Sequence, residues 1–141
     1  MDPTARSNGT NSPPVGALRI LVVDDEDLLR RALTRMLGDH LVVAVASVDE
    51  GVERLAKERF DLILCDLSMP RRTGIDMHAE LQRRWPMMLR RFVVMSGGAY
   101  TPELREFMEQ HPSLARLDKP LTLAAIRAVV QRVFESETRA V

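Results

Sequence analysis

The sequence predicts one α/β domain in three layers, a doubly wound sheet of five parallel strands with helices on both faces. Three observations lead there. Between residues 19 and 134, five short apolar runs alternate with segments of helical period. The runs are near-continuously apolar rather than alternating, as strands covered on both faces require. The chain has 141 residues, 45% of them apolar, which suits one domain with its own core and not two.

The elements follow in order. Arg19 to Val23 reads as a buried strand. From Asp27 the spacing changes, and Leu28, Leu29, Ala32, Leu33, Met36 and Leu37 are expected on one helical face, with Gly38 as the stop. Leu41 to Ala46 is a Val-rich second strand. Ser47 or Asp49 caps a helix carrying Val52, Leu55 and Ala56 that ends near Arg59. Asp61 to Asp66 is the third strand, and Gly74 to Trp85 is a helix stopped by Pro86. Arg91 to Met95 is the fourth strand. Thr101-Pro102-Glu103 starts a short helix with Pro at its first position, ending by His111-Pro112. Leu114 to Leu117 is a weaker fifth strand. Thr122 caps a last helix that buries Leu123, Ile126, Val129, Val130, Val133 and Phe134.

The expected domain spans residues 18–135. Residues 1–17, rich in Pro, Ser, Asn, Thr and Gly, read as a disordered tail, and 136–141 as a C-terminal tail. Lys plus Arg equals Asp plus Glu at 20 each, so no global charge draws the chain to nucleic acid or membrane. One cysteine, Cys65, excludes an internal disulfide framework and suits a reducing compartment. No window approaches a membrane span and no signal peptide is legible, so the expectation is a cytoplasmic protein without membrane contact. Arg83, Arg84, Arg90 and Arg91 around Trp85, Met87 and Met88 read as solvated arginines rather than a nucleic-acid patch. His40, His78 and His111 have no metal-ligand spacing, and Cys65 reads as a small core residue.

In such sheets ligands bind at the carboxyl ends of the strands. The first strand ends in Asp24 and Asp25, the third in Asp66, the fourth in Ser96-Gly97-Gly98, and the fifth runs into Asp118-Lys119-Pro120. Two carboxylates 4 Å apart in a half-buried setting repel by about 4 kcal/mol. A hard divalent cation relieves that repulsion through oxygen ligands, which makes Asp24 and Asp25 candidate metal ligands and leaves Glu26 and Asp27 to the helix start. Aspartate can act as a nucleophile towards phosphorus. The cation, the Lys119 ammonium and the Ser96 hydroxyl would then neutralise the three equatorial oxygens. Only 2 of the 20 basic residues are Lys, which makes Lys119 more notable at such a position.

These residues together resemble the receiver domains of two-component response regulators. The resemblance runs from about Leu18 to Phe134 and rests on VVDDED after the first strand, Asp66-Leu67-Ser68-Met69-Pro70 with Gly74 following, VVMSGG, and DKP. Each motif is short; their order and placement at strand ends make the set specific. The resemblance implies a flavodoxin-like sheet of order 2-1-3-4-5 and a bacterial signalling domain that catalyses its own phosphorylation rather than a conventional enzyme. It implies phosphorylation of Asp66 by a histidine kinase or histidine phosphotransfer protein and an onward protein partner. It also implies Mg²⁺ (or Mn²⁺) at Asp25, Asp66 and the Ser68 backbone carbonyl, with Asp24 acting through water, and a cis peptide at Lys119-Pro120.

One departure stands out. Three residues before the lysine the family carries Phe or Tyr, the aromatic part of its switch; here the residue is Arg116, whose charge cannot be buried without a partner. Ser96, Arg116 and Tyr100 are therefore the candidate switch residues. The alternative is a degenerate receiver-like interaction module that does not signal through phosphorylation. An aspartyl-phosphate phosphatase of the haloacid dehalogenase type needs a second Asp two residues past its nucleophile, where Ser68 stands. A flavin carrier is disfavoured by 4% aromatics and the lack of a hydroxyl-rich phosphate loop. With no effector domain after Val141, either a stand-alone regulator or a piece of a hybrid histidine kinase is expected.

Overall fold

The computed structural model describes the backbone of residues 16–139 and the side chains through residue 135. Most of the expected N-terminal tail, residues 1–15, lies outside the described residues. Five strands, β1 (Arg19–Val23), β2 (Leu41–Val45), β3 (Leu62–Asp66), β4 (Phe92–Ser96) and β5 (Ala115–Asp118), form one parallel sheet in the order β2-β1-β3-β4-β5. Every residue of β3 and β4 is buried, while β2 and β5, at the edges, are only partly covered. The apolar runs thus mark the central strands most strongly, because only those lose solvent on both faces.

The helices are α1 (Asp27–Met36), α2 (Val48–Lys57), α3 (Gly74–Arg84), α4 (Pro102–Gln110) and α5 (Leu123–Arg139). One face of the sheet packs against Val48, Leu55, Met77, Leu81, Leu104 and Phe107 of α2, α3 and α4. The other packs against Leu33 and Leu37 and against Ile126, Val129, Val133 and Phe134 of α5. Polar residues start the helices. Ser47 Oγ accepts from the Glu50 N–H, Thr101 Oγ1 from Leu104, and Thr122 Oγ1 from Ala125. Thr73 and Asp76 form a reciprocal capping box that opens α3. Among the described residues no helix is long and apolar enough to cross a membrane.

Several expectations shift. Leu28 is 80% exposed rather than buried with its neighbours, because the covered stripe of α1 centres on Leu29, Leu33 and Leu37 and Leu28 lies a quarter-turn off it. Residues Pro86–Arg91 form a 3-10 turn that takes in Arg91, the expected first residue of the fourth strand, so β4 begins at Phe92 and ends on Ser96. β5 likewise begins one residue later than its apolar run, since the Leu114 N–H is spent on the His111 carbonyl.

Candidate functional site

The parallel register brings the carboxyl ends of β1, β3, β4 and β5 to one edge. Asp24 follows β1 with no exposed surface; its N–H donates to the Val45 carbonyl at 3.1 Å and its Oδ1 accepts from the Glu26 N–H at 2.8 Å. Asp25, the next residue, is exposed. Asp66 ends β3, 4% exposed, and its Oδ1 accepts from the Ser68 N–H at 3.2 Å. Ser96 ends β4, 4% exposed, with its Oγ accepting from the Gly98 N–H at 3.0 Å.

Lys119 completes the group from the loop after β5. Its N–H donates to the Ser96 carbonyl at 2.7 Å, and the bond to Pro120 is cis. Its Nζ lies 3.3 Å from Asp66 Oδ2, 3.4 Å from Asp24 Oδ2 and 3.6 Å from Glu26 Oε1. Burial pushes the Asp24 and Asp66 carboxyls above the ordinary aspartate range, against the pull of backbone hydrogen bonds and of Lys119. Burial opposes the Lys119 charge as well, but Asp66 and Asp24 outweigh it and hold the ammonium above its usual value.

Asp24, Asp25 and Asp66 each present a carboxylate oxygen within 4.8 Å of the other two, so the cluster can hold a metal ion. All the donors are hard oxygens, and one ammonium does not balance three carboxylates. A cleft of about 320 Å³ opens beside them, lined by Asp25, Asp66, Ser68, Ser96, Tyr100 and Lys119 among others. The edge is thus an acidic pocket with one fixed cation and the buried Ser96 hydroxyl, suited to a divalent ion and a tetrahedral oxyanion.

The structure brings together Asp24, Asp25, Asp66, Ser68, Ser96, Tyr100 and Lys119. It does not bring Arg116 to them: that half-buried side chain lines a different cleft, towards the amino end of β5. Glu26 was missed as a member. It sits at the N-cap of α1 without a side-chain capping bond and faces Lys119 instead, and the only signal for it was its place in the acidic run. Gly74 is a structural member, since a Cβ there would stand 3.0 Å from Leu67 Cα and 3.1 Å from the Asp66 carbonyl. Cys65 is fully buried beside the cluster, and burial pushes its thiol well above the ordinary range, as for an inert core residue.

The family model for the response regulator receiver domain matches residues 20–131. The chain belongs to that family. It is therefore a receiver domain of two-component signalling, and the sheet order and flanking helices are those of its fold. The hydrogenase transcriptional regulatory protein HoxA of Cupriavidus necator is 40% identical over 79 residues, covering 55% of this chain. The sensory/regulatory protein RpfC of Xanthomonas campestris pv. campestris is 32% identical over 115 residues, covering 79% of this chain. The chain spans 16% of the length of each of these relatives. The Vibrio cholerae chemotaxis protein CheY4 shares the fold with a TM-score of 0.72 at 24% identity, over 83% of this chain and 98% of that one.

Proposed function

We propose that this receiver domain takes a phosphoryl group onto Asp66 from the phosphohistidine of a histidine kinase or histidine phosphotransfer protein. The observation that carries the reading is the Lys119 ammonium, 3.3 Å from Asp66 and 3.4 Å from Asp24, in a cleft that Ser96 also lines. Asp24, Asp25, Asp66 and the Ser68 carbonyl would hold Mg²⁺ or Mn²⁺, which when bound supplies Lewis-acid neutralisation of phosphoryl charge.

An Asp66 carboxylate oxygen attacks phosphorus. The new O–P bond forms as the donor's P–N bond breaks, and the electron pair returns to the imidazole. Lys119, fixed by its main-chain bond to Ser96, meets one phosphoryl oxygen as a point charge. The Ser96 hydroxyl now accepts from Gly98, which leaves its own proton to donate to another. The phosphoryl group brings about −1.5 to −2 charge to the edge, and Ser96 moving towards it releases the loop through Gly98. Tyr100 lines the same cleft and packs on the core, so it is the side chain placed to relay that movement to a downstream protein partner. Arg116 lies outside the cleft and takes no part in this step.

Intact-protein mass after incubation with Mg²⁺ and acetyl phosphate tests the reading. One added phosphate is expected, absent in Asp66→Asn and absent without divalent cation. No gain from acetyl phosphate or from a phosphohistidine donor, with the fold intact, would overturn it in favour of an interaction module that works without phosphorylation.

A further inference from the structure

A second cleft is larger than the acidic one. About 750 Å³ opens towards the other end of the sheet, where β4 and β5 begin. Three arginines line it, Arg90 from the 3-10 turn, Arg116 from β5 and Arg132 from α5, and no acidic residue does. Arg91, next to Arg90, reaches Asp61, and Arg72 reaches both Asp49 and Glu80. Arg90, Arg116 and Arg132 meet no carboxylate among the described residues. Three arginines from three separate elements in one concavity, with no carboxylate partner among the described residues, are a charge arrangement open to an anion.

The remaining walls narrow the complement. His78 and His111 meet edge to face, 4.6 Å between ring centroids, and add flat aromatic surface, with His111 Nδ1 held at 2.9 Å by the Phe107 carbonyl. Phe92 and Leu114 give apolar surface beside them. Guanidinium forks match the paired oxygens of phosphate groups, and three such charges match about three negative ones. The volume is that of small-molecule sites, roughly 300–1,000 Å³, and a concave site of this kind suits a compact ligand better than an extended chain. We propose that this cleft binds a small organic anion with two phosphoryl groups, of the class of a nucleoside diphosphate, its phosphates on the arginines and its organic body against the imidazole and apolar wall. The presence of Arg116 where the family has an aromatic ring then has a role in ligand binding, and the proposal stands independently of what happens at Asp66.

Calorimetric titration of the protein with ADP, GDP and inorganic pyrophosphate tests it. Saturable one-to-one binding of a nucleotide is expected, weakened about ten-fold by Arg90→Gln and by Arg132→Gln, the scale of one lost charge-assisted hydrogen bond. Arg127→Gln, on α5 but outside this cleft, should leave the affinity unchanged, and phosphorylation from acetyl phosphate should survive in all three variants. Failure of both nucleotides to bind would overturn the proposal. Pyrophosphate binding as tightly as the nucleotides would overturn the assignment of an organic body. An equal loss in Arg127→Gln would mean diffuse charge and no site, and tighter binding of an oligoglutamate peptide would make the cleft a protein-docking groove instead.

Discussion

The Lys119 ammonium stands 3.3 Å from Asp66 Oδ2 although β4 separates their two strands in the sheet. The same nitrogen is 3.4 Å from Asp24, so one cation ties together the two buried acids of the edge. It holds the position of charge neutraliser that a divalent ion would share, and this dual position gives its substitutions opposite signs in two assays.

Lys119→Met removes the competitor for the carboxylates, so the variant should bind Mg²⁺ more tightly than the parent in a calorimetric titration. It also removes a donor to the developing phosphoryl charge, so phosphorylation by acetyl phosphate should slow by about a hundred-fold. Unchanged or weaker Mg²⁺ binding would show that the ammonium does not compete with the ion.

Asp24 is buried without full neutralisation, and Asp24→Asn should stabilise the metal-free protein. Burial holds its folded carboxyl above the ordinary aspartate value near 3.9. The folded state therefore binds a proton that the unfolded chain has released. That contribution to stability is complete at low pH and is lost as pH rises through the folded value, which leaves a charge penalty at neutrality. Asparagine can still accept the Glu26 N–H. A rise of about 1 kcal/mol, or roughly 4 °C in Tm, is expected at pH 7 without divalent cation, and weaker Mg²⁺ binding with it. A fall in Tm under those conditions would mean that the Lys119 contact outweighs desolvation.

The strand-end acids were legible because a parallel sheet sends all its strand ends to one side, so order along the chain becomes proximity in space. Which acid is buried was not legible. Asp24 and Asp25 are neighbours of the same type, and bonds to Val45, Glu26 and Lys119 hold Asp24 in the interior while Asp25 is exposed. Glu26 does stand at the helix start, where an acid suits the macrodipole, yet its partner is Lys119, brought near by the far end of the chain. The arginine cleft was invisible for the same reason. Arg90, Arg116 and Arg132 lie on a turn, a strand and a helix with no shared period, and only packing at the amino ends of β4 and β5 collects them. Leu28 differs for another reason: it is apolar and adjoins the helical stripe, but being apolar does not by itself bury a residue.

Gly74 allows α3 to start against the acceptor strand, and Gly74→Ala should be costly. The added Cβ would meet Leu67 Cα at 3.0 Å and the Asp66 carbonyl at 3.1 Å, both backbone atoms that move only with the acceptor itself. Urea unfolding should show a loss of roughly 1–3 kcal/mol, the usual range for overpacking. Gly97→Ala, where nothing lies within 4 Å of the added atom, is the matched control and should stay within about 0.5 kcal/mol. Equal losses in the two variants would place the effect in backbone freedom rather than in contact.

Arg72 ties the loop after Asp66 to two helices, bonding Glu80 of α3 and Asp49 of α2 at 2.8 Å each. Glu80 is 11% exposed at its side chain and also accepts from Arg83, so Arg72→Ala leaves a nearly buried carboxylate with one partner instead of two. The expected loss at pH 7 is about 1–2 kcal/mol, above a surface pair and below an isolated buried one. The hydrogen bond from Arg72 is the largest influence holding Glu80 below the ordinary glutamate range; burial opposes it and Arg83 adds to it. Because the folded value is depressed, the stabilisation is complete above the ordinary value near 4.3 and is lost as pH falls through the folded one. Urea unfolding of parent and variant should therefore differ at pH 7 and converge towards pH 3. A difference that persisted unchanged into acid would mean that Arg72 acts through packing of its stem and not through the charge of Glu80.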